Sequence, residues 1–319
     1  MNRPINYSII IPHKNIPGLL QRCLNSIPRR DDVQIIVVDD NSDPDKVDFK
    51  NFPGLNDPFV EVVFTKEGKG AGYARNAGLT KAVGKWLLFA DADDFFNYCI
   101  NDIFDEYVNS DADIIYFKHN SIDSDTYTAK NRLLHFHTFI DKWRHSPQKA
   151  DALLRYRHTS VWSRIHKTEF IKKNSISFDE VSIANDVTFA YLSGFYAASI
   201  GADPRALYCT TIRQGSIRHK KQNIEMELDY LYVAFKRYRF FKKNKLVKLG
   251  YIKQVDTLIK FYFLNKNYFH KAMNMLLNIG FTKGEILKLC ICNTLIYFPE
   301  KKLLNFFSLP KKIILKLIR

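Results

Sequence analysis

The stretch Trp86-Leu87-Leu88-Phe89-Ala90-Asp91-Ala92-Asp93-Asp94-Phe95-Phe96 decides how the rest of the chain is read. Its first five residues are apolar without alternation, the pattern of a strand buried on both faces, as in a parallel sheet. The run then ends in three carboxylates. Asp91 and Asp93 are two positions apart, so extended chain projects both to the same side. Acids crowded at the end of a buried strand repel one another unless a cation joins them. A hard divalent cation with oxygen ligands, shared with a phosphate-bearing substrate, meets that need. The competing reading is a turn of solvated aspartates, since Asp is common in turns.

Upstream, Tyr7-Ser8-Ile9-Ile10-Ile11-Pro12 reads as a first buried strand ended by proline. Leu19, Leu20, Cys23, Leu24 and Ile27 fall at helical spacing, which predicts a helix between Asn15 and Ile27. Val33-Gln34-Ile35-Ile36-Val37-Val38 is a second buried strand and runs into Asp39-Asp40-Asn41-Ser42-Asp43. Strand, helix, strand with acids at the carboxyl ends begins an open parallel sheet, and such sheets bind ligands at that edge. Phe59–Phe64 is a third strand candidate. The glycine-rich loop Lys66-Glu67-Gly68-Lys69-Gly70-Ala71-Gly72 lacks the spacing of a phosphate cradle. A hinge over a ligand and a plain connector are its two readings. It opens into a helix at Tyr73-Ala74-Arg75-Asn76-Ala77-Gly78-Leu79.

Downstream, Ile100–Val108 predicts a helix and Asp113–Phe117 a strand. Ser121–Asp141 reads as strands or a loop over the site. Within it His135 and His137 are read as surface or core groups ahead of metal ligands. Pro147–Phe170 reads as mostly helical around Ser160-Val161-Trp162-Ser163-Arg164. Phe178-Asp179-Glu180 leads to a helix start at Ala184-Asn185-Asp186-Val187-Thr188-Phe189-Ala190, with Asn185 or Asp186 at its amino end. Leu207–Ile212 is a last strand candidate, and from about Asn223 the pattern is helical.

The chain of 319 residues suffices for one large α/β domain with an appendage, or for two domains. Its net charge of +15 is unevenly placed: residues 219–319 hold 21 Lys and Arg against 6 Asp and Glu, and residues 1–218 balance. That divides the chain into a neutral catalytic-type domain, 1–218, and a basic helical region, 219–319, with a different partner. Five scattered cysteines without a CxxC pair predict reduced thiols. Met1 to Tyr7 runs straight into a strand without a secretory pattern, and no stretch reaches the length of a membrane span. Both point to a cytoplasmic chain.

Taken in order, these segments resemble the inverting family 2 glycosyltransferases of the GT-A fold. Tyr7 through Asn15 is similar to the family's opening strand, and Ile35-Ile36-Val37-Val38-Asp39-Asp40-Asn41-Ser42 to its second strand and nucleotide-binding acidic pair. Ala74-Arg75-Asn76-Ala77-Gly78 resembles the helix before the metal strand, and Phe89-Ala90-Asp91-Ala92-Asp93-Asp94 the DXD-type motif. Ala184–Phe189 is similar to the segment holding the catalytic base, and Leu207–Ile217 to a closing stretch of bacterial polysaccharide members. The resemblance covers about residues 5–218. It departs at His13-Lys14, where an aromatic or small residue is more usual before the asparagine, and at Asn185, where a glutamate often precedes the catalytic aspartate.

The resemblance implies a GT-A-like, mostly parallel α/β sheet flanked by helices, extended by the basic helical region. It implies Mn²⁺ or Mg²⁺ held by Asp93 with Asp91 and Asp94 in support, on a sugar-nucleotide diphosphate whose departure builds negative charge. Asp91 also lies with the donor. Asp40, with Asp39 beside it, occupies the base-contacting position, and a carboxylate accepting from a uracil N–H favours a UDP-sugar. The alternative for that pair is a helix cap or turn. Arg75 is the cation near diphosphate or base, or else a surface ion pair. Pro12 places backbone carbonyls against the base. Asp186 is the general base that takes the proton of the acceptor hydroxyl, or else a helix cap. Trp162 and Arg164 lie in the acceptor half, where tryptophan suits a sugar ring but is more often core.

The expected activity is a metal-dependent hexosyl or N-acetylhexosaminyl transfer to a growing surface glycan, free or lipid-linked. Lys236-Arg237-Tyr238-Arg239-Phe240-Phe241-Lys242-Lys243 and Leu309–Arg319 mix cations with apolar side chains, which suits an anionic membrane surface at the inner face of the cell membrane. A helical mini-domain with a solvated basic face is the alternative. Nucleic acid is not an expected partner, because no such motif appears. The rival functions are a nucleotidyltransferase, whose N-terminal glycine-rich basic motif is missing from Ile11-Pro12-His13-Lys14, and a binding module without catalysis.

Overall fold

Why the first strands read as unbroken apolar runs is visible in their packing. In β1 (Tyr7–His13), Ile9 and Ile11 join one hydrophobic cluster and Ile10 the other, on opposite faces of the sheet. In β2 (Val33–Asp40), Ile35 and Val37 divide from Ile36 and Val38 in the same way. In β4 (Trp86–Phe89), Leu88 divides from Leu87 and Phe89. Each fully buried large apolar side chain stabilises the fold by about 1.5–3 kcal/mol, and the buried polar Ser8 of β1 is accommodated by its hydrogen bond to Gln34 at 2.7 Å. Gly78 of α2 (Ala71–Lys81) lets that helix close on the sheet, since a Cβ there would stand 2.5 Å from a methyl of Ile10.

The computed structural model describes residues 4–213, Gly215, 223–246 and 254–297. They fall into two compact units, Met1–Lys221 and Gln222–Arg319. The first unit holds one eight-stranded sheet in the order β3-β2-β1-β4-β7-β6-β8-β5. Its remaining strands are β3 (Val60–Thr65), β5 (Phe95–Phe96), β6 (Ile114–Asp123), β7 (Arg164–Lys167) and β8 (Ile200–Ile212). The β3-β2-β1-β4 half is parallel, β7 runs antiparallel to both β4 and β6, β6 and β8 are parallel, and β5 closes the edge antiparallel to β8. The helices α1 (Pro17–Asn25), α3 (Ile100–Tyr107), α4 (His137–His145), α5 (Pro147–Arg157), α6 (Thr168–Lys173) and α7 (Asp186–Tyr196) complete the unit.

Several elements differ from the sequence reading. β1 runs through Pro12 to His13 rather than ending at the proline. Its pairing with β4 stops at Ile10↔Phe89, while that with β2 continues to His13↔Asp39. Pro12, with no N–H to donate, therefore falls where the β4 side is already finished. The mostly helical reading of Pro147–Phe170 holds only to Arg157, after which β7 enters the sheet between β4 and β6. β7 carries Arg164 and His166, both fully buried, so its composition hides its position. Ser121–Asp141 contains the end of β6, a short 3-10 turn at Leu134–Phe136 and the start of α4. β8 begins at Ile200, because a register shift at Phe117/Lys118 passes over Pro204 and Arg205.

The second unit contains α8 (Ile224–Lys243), α9 (Val255–Leu264), α10 (Lys266–Asn278) and α11 (Lys283–Tyr297) around its own core, including Leu231, Phe235, Leu258, Phe261 and Leu276. Asn223 and Asn265 cap α8 and α10 by accepting the N–H groups of Met226 and Tyr268. Among the described residues no helix is long and apolar enough to cross a membrane. The segment Lys236–Lys243 is not a free amphipathic surface: Phe241 is buried, Lys242 pairs with Glu285 at 2.7 Å, and Arg239 donates to the carbonyl of Gly280. Leu309–Arg319 lies outside the described residues.

Candidate active site

The parallel register brings the carboxyl ends of β1, β2 and β4 together, and with them both aspartate pairs. Asp39 faces inward. Its Oδ1 stands 2.7 Å from His13 Nδ1, and its two oxygens accept from the Ser42 hydroxyl (2.6 Å) and N–H (2.9 Å). His13 Nε2 accepts the N–H of Ile16, which assigns the ring proton to Nδ1, the donor to Asp39. Burial alone would raise the Asp39 pKa, but His13 and Ser42 outweigh it and hold the carboxyl below its ordinary value. With those donors around it, both oxygens of Asp39 are engaged by His13 and Ser42.

Asp40 is the other half of that pair. Its Oδ2 accepts from Lys14 (3.2 Å) and from the N–H of Gly70 (2.9 Å). Its Oδ1 is buried without a partner. The glycine-rich loop is therefore a wall tied to Asp40 rather than a phosphate cradle. Gly72 takes it against the chain before α7, where a Cβ would meet the carbonyl oxygen of Asp179 at 2.0 Å. Pro12 is buried one position before His13.

The acidic stretch after β4 also divides. Asp91 is 27% exposed; its Oδ1 pairs with Arg75 Nη2 at 2.5 Å, and its N–H donates to the Tyr208 hydroxyl at 2.7 Å. Asp93 is 23% exposed and pairs through Oδ2 with Arg213 at 2.9 Å. Asp94 is turned into the protein, where Oδ1 accepts the N–H of Thr211 and Oδ2 has no partner. Burial, then repulsion from Asp93 and Asp91, pushes its pKa well above the usual carboxylate range.

Arg75 joins the acidic stretch after β4 to the start of α7. Besides Asp91 it donates through Nη1 to Asn185 Oδ1 at 2.7 Å, and its guanidinium lies 5.3 Å from the centre of the Phe178 ring. It is a buried bridge, not the surface ion pair of the alternative reading. Asn185 immediately precedes Asp186, the first residue of α7, so Asp186 is held beside the acidic stretch by two hydrogen bonds in series. The turn before it is strained, with Ala184 at φ 56°. Burial raises the Asp186 pKa; Arg75 opposes that, Asp91 adds to it, and Arg164 opposes it further. A half-buried carboxylate with a raised pKa beside an acidic stretch suits proton abstraction near neutral pH. The N-cap residue of α7 is Asn185, whose side chain makes no capping bond and accepts from Arg75 instead.

Among the described residues no three His, Cys, Asp or Glu side chains form a metal cage. A hard divalent cation on a diphosphate does not require one, since one or two carboxylates plus phosphate oxygens suffice. Asp91 and Asp93 fit that mode: each uses one oxygen in its ion pair and is about a quarter exposed. Asp94, 1% exposed and turned to the Thr211 N–H, fits that mode less well than the other two. His137 accepts the N–H of His119 through Nε2 and His135 packs on Phe136. Trp162 is core, stacked on Tyr208 at 5.2 Å, and Arg164 is buried over Tyr116 with its Nη2 donating to the His158 carbonyl.

The family model described as "Glycosyl transferase family 2" matches residues 8–176, more than half of the chain. The chain belongs to glycosyl transferase family 2. A Bacillus subtilis protein designated glycosyltransferase EpsH is 26% identical over 264 residues, 79% of this chain and 73% of its own length. A PGL/p-HBAD biosynthesis glycosyltransferase of Mycobacterium tuberculosis is 36% identical over 92 residues, 28% of this chain and 35% of that one. Among solved structures, S. aureus TarS with UDP-GlcNAc superposes with a TM-score of 0.60 at 19% identity, over 90% of this chain and 82% of that one. The mannosyltransferase PcManGT of Pyrobaculum calidifontis, with GDP-Man and Mn²⁺, gives 0.50 at 14% identity, over 93% and 82%. The fold is GT-A-like and the protein is a glycosyltransferase, which sets aside the nucleotidyltransferase and the non-catalytic module.

Sequence reasoning missed the supports of this glycosyltransferase site. Arg22 on α1 donates to the Asp93 carbonyl (2.6 Å) and to the carbonyl and hydroxyl of Ser124 (3.1 Å each). Thr211 donates its hydroxyl to the same Asp93 carbonyl, and Tyr208 holds Asp91. All three clamp the acidic stretch from elements far away in sequence. No local pattern marks such contacts.

Proposed function

We propose that this family 2 glycosyltransferase is an inverting, metal-dependent enzyme that transfers a hexosyl or N-acetylhexosaminyl group from a UDP-sugar to a growing surface glycan. The observation that carries the proposal is the Arg75 bridge, which joins Asp91 of the acidic stretch to Asn185 beside Asp186 in one cleft. Asp40 Oδ1, buried and without a partner, is an acceptor suited to the imide N–H of uracil. The fold alone does not choose the base, since TarS was solved with UDP-GlcNAc and PcManGT with GDP-Man. Asp93 and Asp91 hold Mn²⁺ or Mg²⁺, which when bound neutralises the departing diphosphate. Arg75 adds fixed positive charge beside them.

Asp186 takes the acceptor hydroxyl proton as that oxygen bonds to the anomeric carbon and the bond to the diphosphate breaks on the opposite face. Residues 1–218 form the catalytic domain. Residues 219–319 present it to an anionic inner membrane surface, where a lipid-linked acceptor is available; their excess of Lys and Arg supports this.

The test is Asp186→Asn, followed by UDP release from a panel of UDP-sugars. Turnover falls by about 10²–10⁴-fold while UDP binding is retained. Because burial raises the Asp186 pKa and the ionised form is the active one, wild-type kcat/KM declines on the acid side with an apparent pKa above that of an ordinary aspartate. Full activity in Asp186→Asn overturns the base assignment.

A further inference from the structure

We infer that the corner between α9 and α10, led by Phe263 and Leu264, is the point at which this protein enters an anionic lipid surface. The inference rests on the membrane reading above and moves it away from the segment that composition favoured. Lys236–Lys243 spends its groups inside the helical unit, as the Lys242–Glu285 pair and buried Phe241 show. The α9–α10 corner does the opposite. Phe263 is 57% exposed and Leu264 75%, two adjacent large apolar side chains at the end of one helix. Isolated exposed apolar residues are ordinary on protein surfaces, but a neighbouring pair at a helix tip is a feature that invites a partner.

The corner is built rigidly. Asn265 alone joins the helices: its N–H closes α9 on the Phe261 carbonyl at 2.9 Å, and its side chain accepts the Tyr268 N–H at the start of α10. Behind the tip, Tyr262 packs edge-on to Phe263 (5.2 Å) and to Phe269 (5.1 Å). Lys266, Asn267, His270 and Lys271 are exposed along the following helix. Lys271 is paired with Glu225 at 2.8 Å, so Lys266, next to the tip, is the cation the corner offers to lipid. An apolar tip, an aromatic layer behind it and an adjacent lysine are the chemistry of the bilayer interface, where aromatic rings sit at headgroup depth and cations meet anionic lipid.

Charge selects the occupant. Residues 222–319 hold 19 Lys and Arg against 6 Asp and Glu. A second copy of so basic a unit is repelled, and an anionic bilayer is attracted by about 1 kcal/mol per cation near its surface.

The experiment uses the full chain and sedimentation with vesicles of phosphatidylcholine alone or mixed with phosphatidylglycerol. Wild type binds the anionic vesicles and not the neutral ones. Phe263→Ser/Leu264→Ser lowers the partition coefficient on the order of a hundredfold, the loss expected for two largely exposed apolar side chains that no longer leave water. Ile224→Ser, exposed on α8, leaves it unchanged. Phe263→Trp keeps the apolar tip and reports its depth: its added fluorescence shifts to the blue and is quenched by brominated lipid.

Equal binding by wild type and the double serine variant overturns the corner while leaving the membrane reading standing. Failure of wild type to bind anionic vesicles overturns both. Added fluorescence in Phe263→Trp that ignores brominated lipid, or a dimer abolished by the serines while vesicle binding persists, also overturns the corner.

Discussion

One aspartate pair ends β2 and another follows β4 in the same sheet, and each pair parts its two carboxylates in a different way. In extended β2 the neighbours Asp39 and Asp40 face opposite ways, whereas Asp93 lies in a turn closed by the Asp94 N–H on the Asp91 carbonyl (3.0 Å), which parts its side chain from that of Asp94. At the end of β2 the first member turns inward and meets His13 and Ser42. After β4 the second member turns inward and meets one backbone N–H, that of Thr211. Donors hold the Asp39 pKa down, whereas burial beside Asp93 and Asp91 drives that of Asp94 up. An inward carboxylate is thus a stabilising ionised group at one strand end and a reluctant one at the other. Asp40 is as buried as Asp39 but keeps Oδ1 without a partner, and Asp93 is 23% exposed; these are the members we assign to the donor.

The largest consequence falls on Asp39. Asp39→Ala strands the buried donors of His13 and Ser42, and costs about 3 kcal/mol of folding stability, read by denaturant titration. A loss below about 1 kcal/mol would break the contrast at its stronger end. Asp93→Asn acts on binding instead: Mn²⁺-dependent UDP affinity falls on the order of tenfold or more, with the melting temperature of the free protein nearly unchanged.

The smallest effect is at Asp94. Ionising a group whose folded pKa is raised costs stability once the pH exceeds its unfolded value. Asn keeps an oxygen for the Thr211 N–H and cannot ionise. Asp94→Asn is therefore as stable as wild type at pH 7 or up to about 1 kcal/mol more stable, and UDP affinity with Mn²⁺ stays within about twofold. A loss as deep as that of Asp93→Asn would place Asp94 among the metal ligands.

Much of the fold was legible because β1, β2 and β4 are buried on both faces and have no choice but to be apolar. The order of strand, acidic end, helix and acidic stretch located the cleft for the same reason. β7 was not legible, since Arg164 and His166 are polar side chains on a fully buried strand, packed against aromatic rings with only Arg164 Nη2 placed on the His158 carbonyl. The candidate site was legible down to its residue types but not to its orientations. Asp94 is turned by Thr211, 117 positions away, and Arg75 is fixed by Asn185, 110 positions away. Asn185 was visible as a departure from the family pattern. Its use as the acceptor for Arg75 needed the three-dimensional arrangement.

The central claim is that Asp40 reads the base while Asp93 and Asp91 hold the metal and diphosphate in one cleft. Thermal shift of the full chain with UDP, GDP and CDP, each with and without Mn²⁺, tests it most directly, because a ligand of the native state raises apparent stability in proportion to its binding free energy. The account predicts the largest rise with UDP and Mn²⁺ together and little with either alone. An equal or larger rise with GDP would contradict the reading of Asp40, and no rise with any nucleotide would contradict the cleft itself.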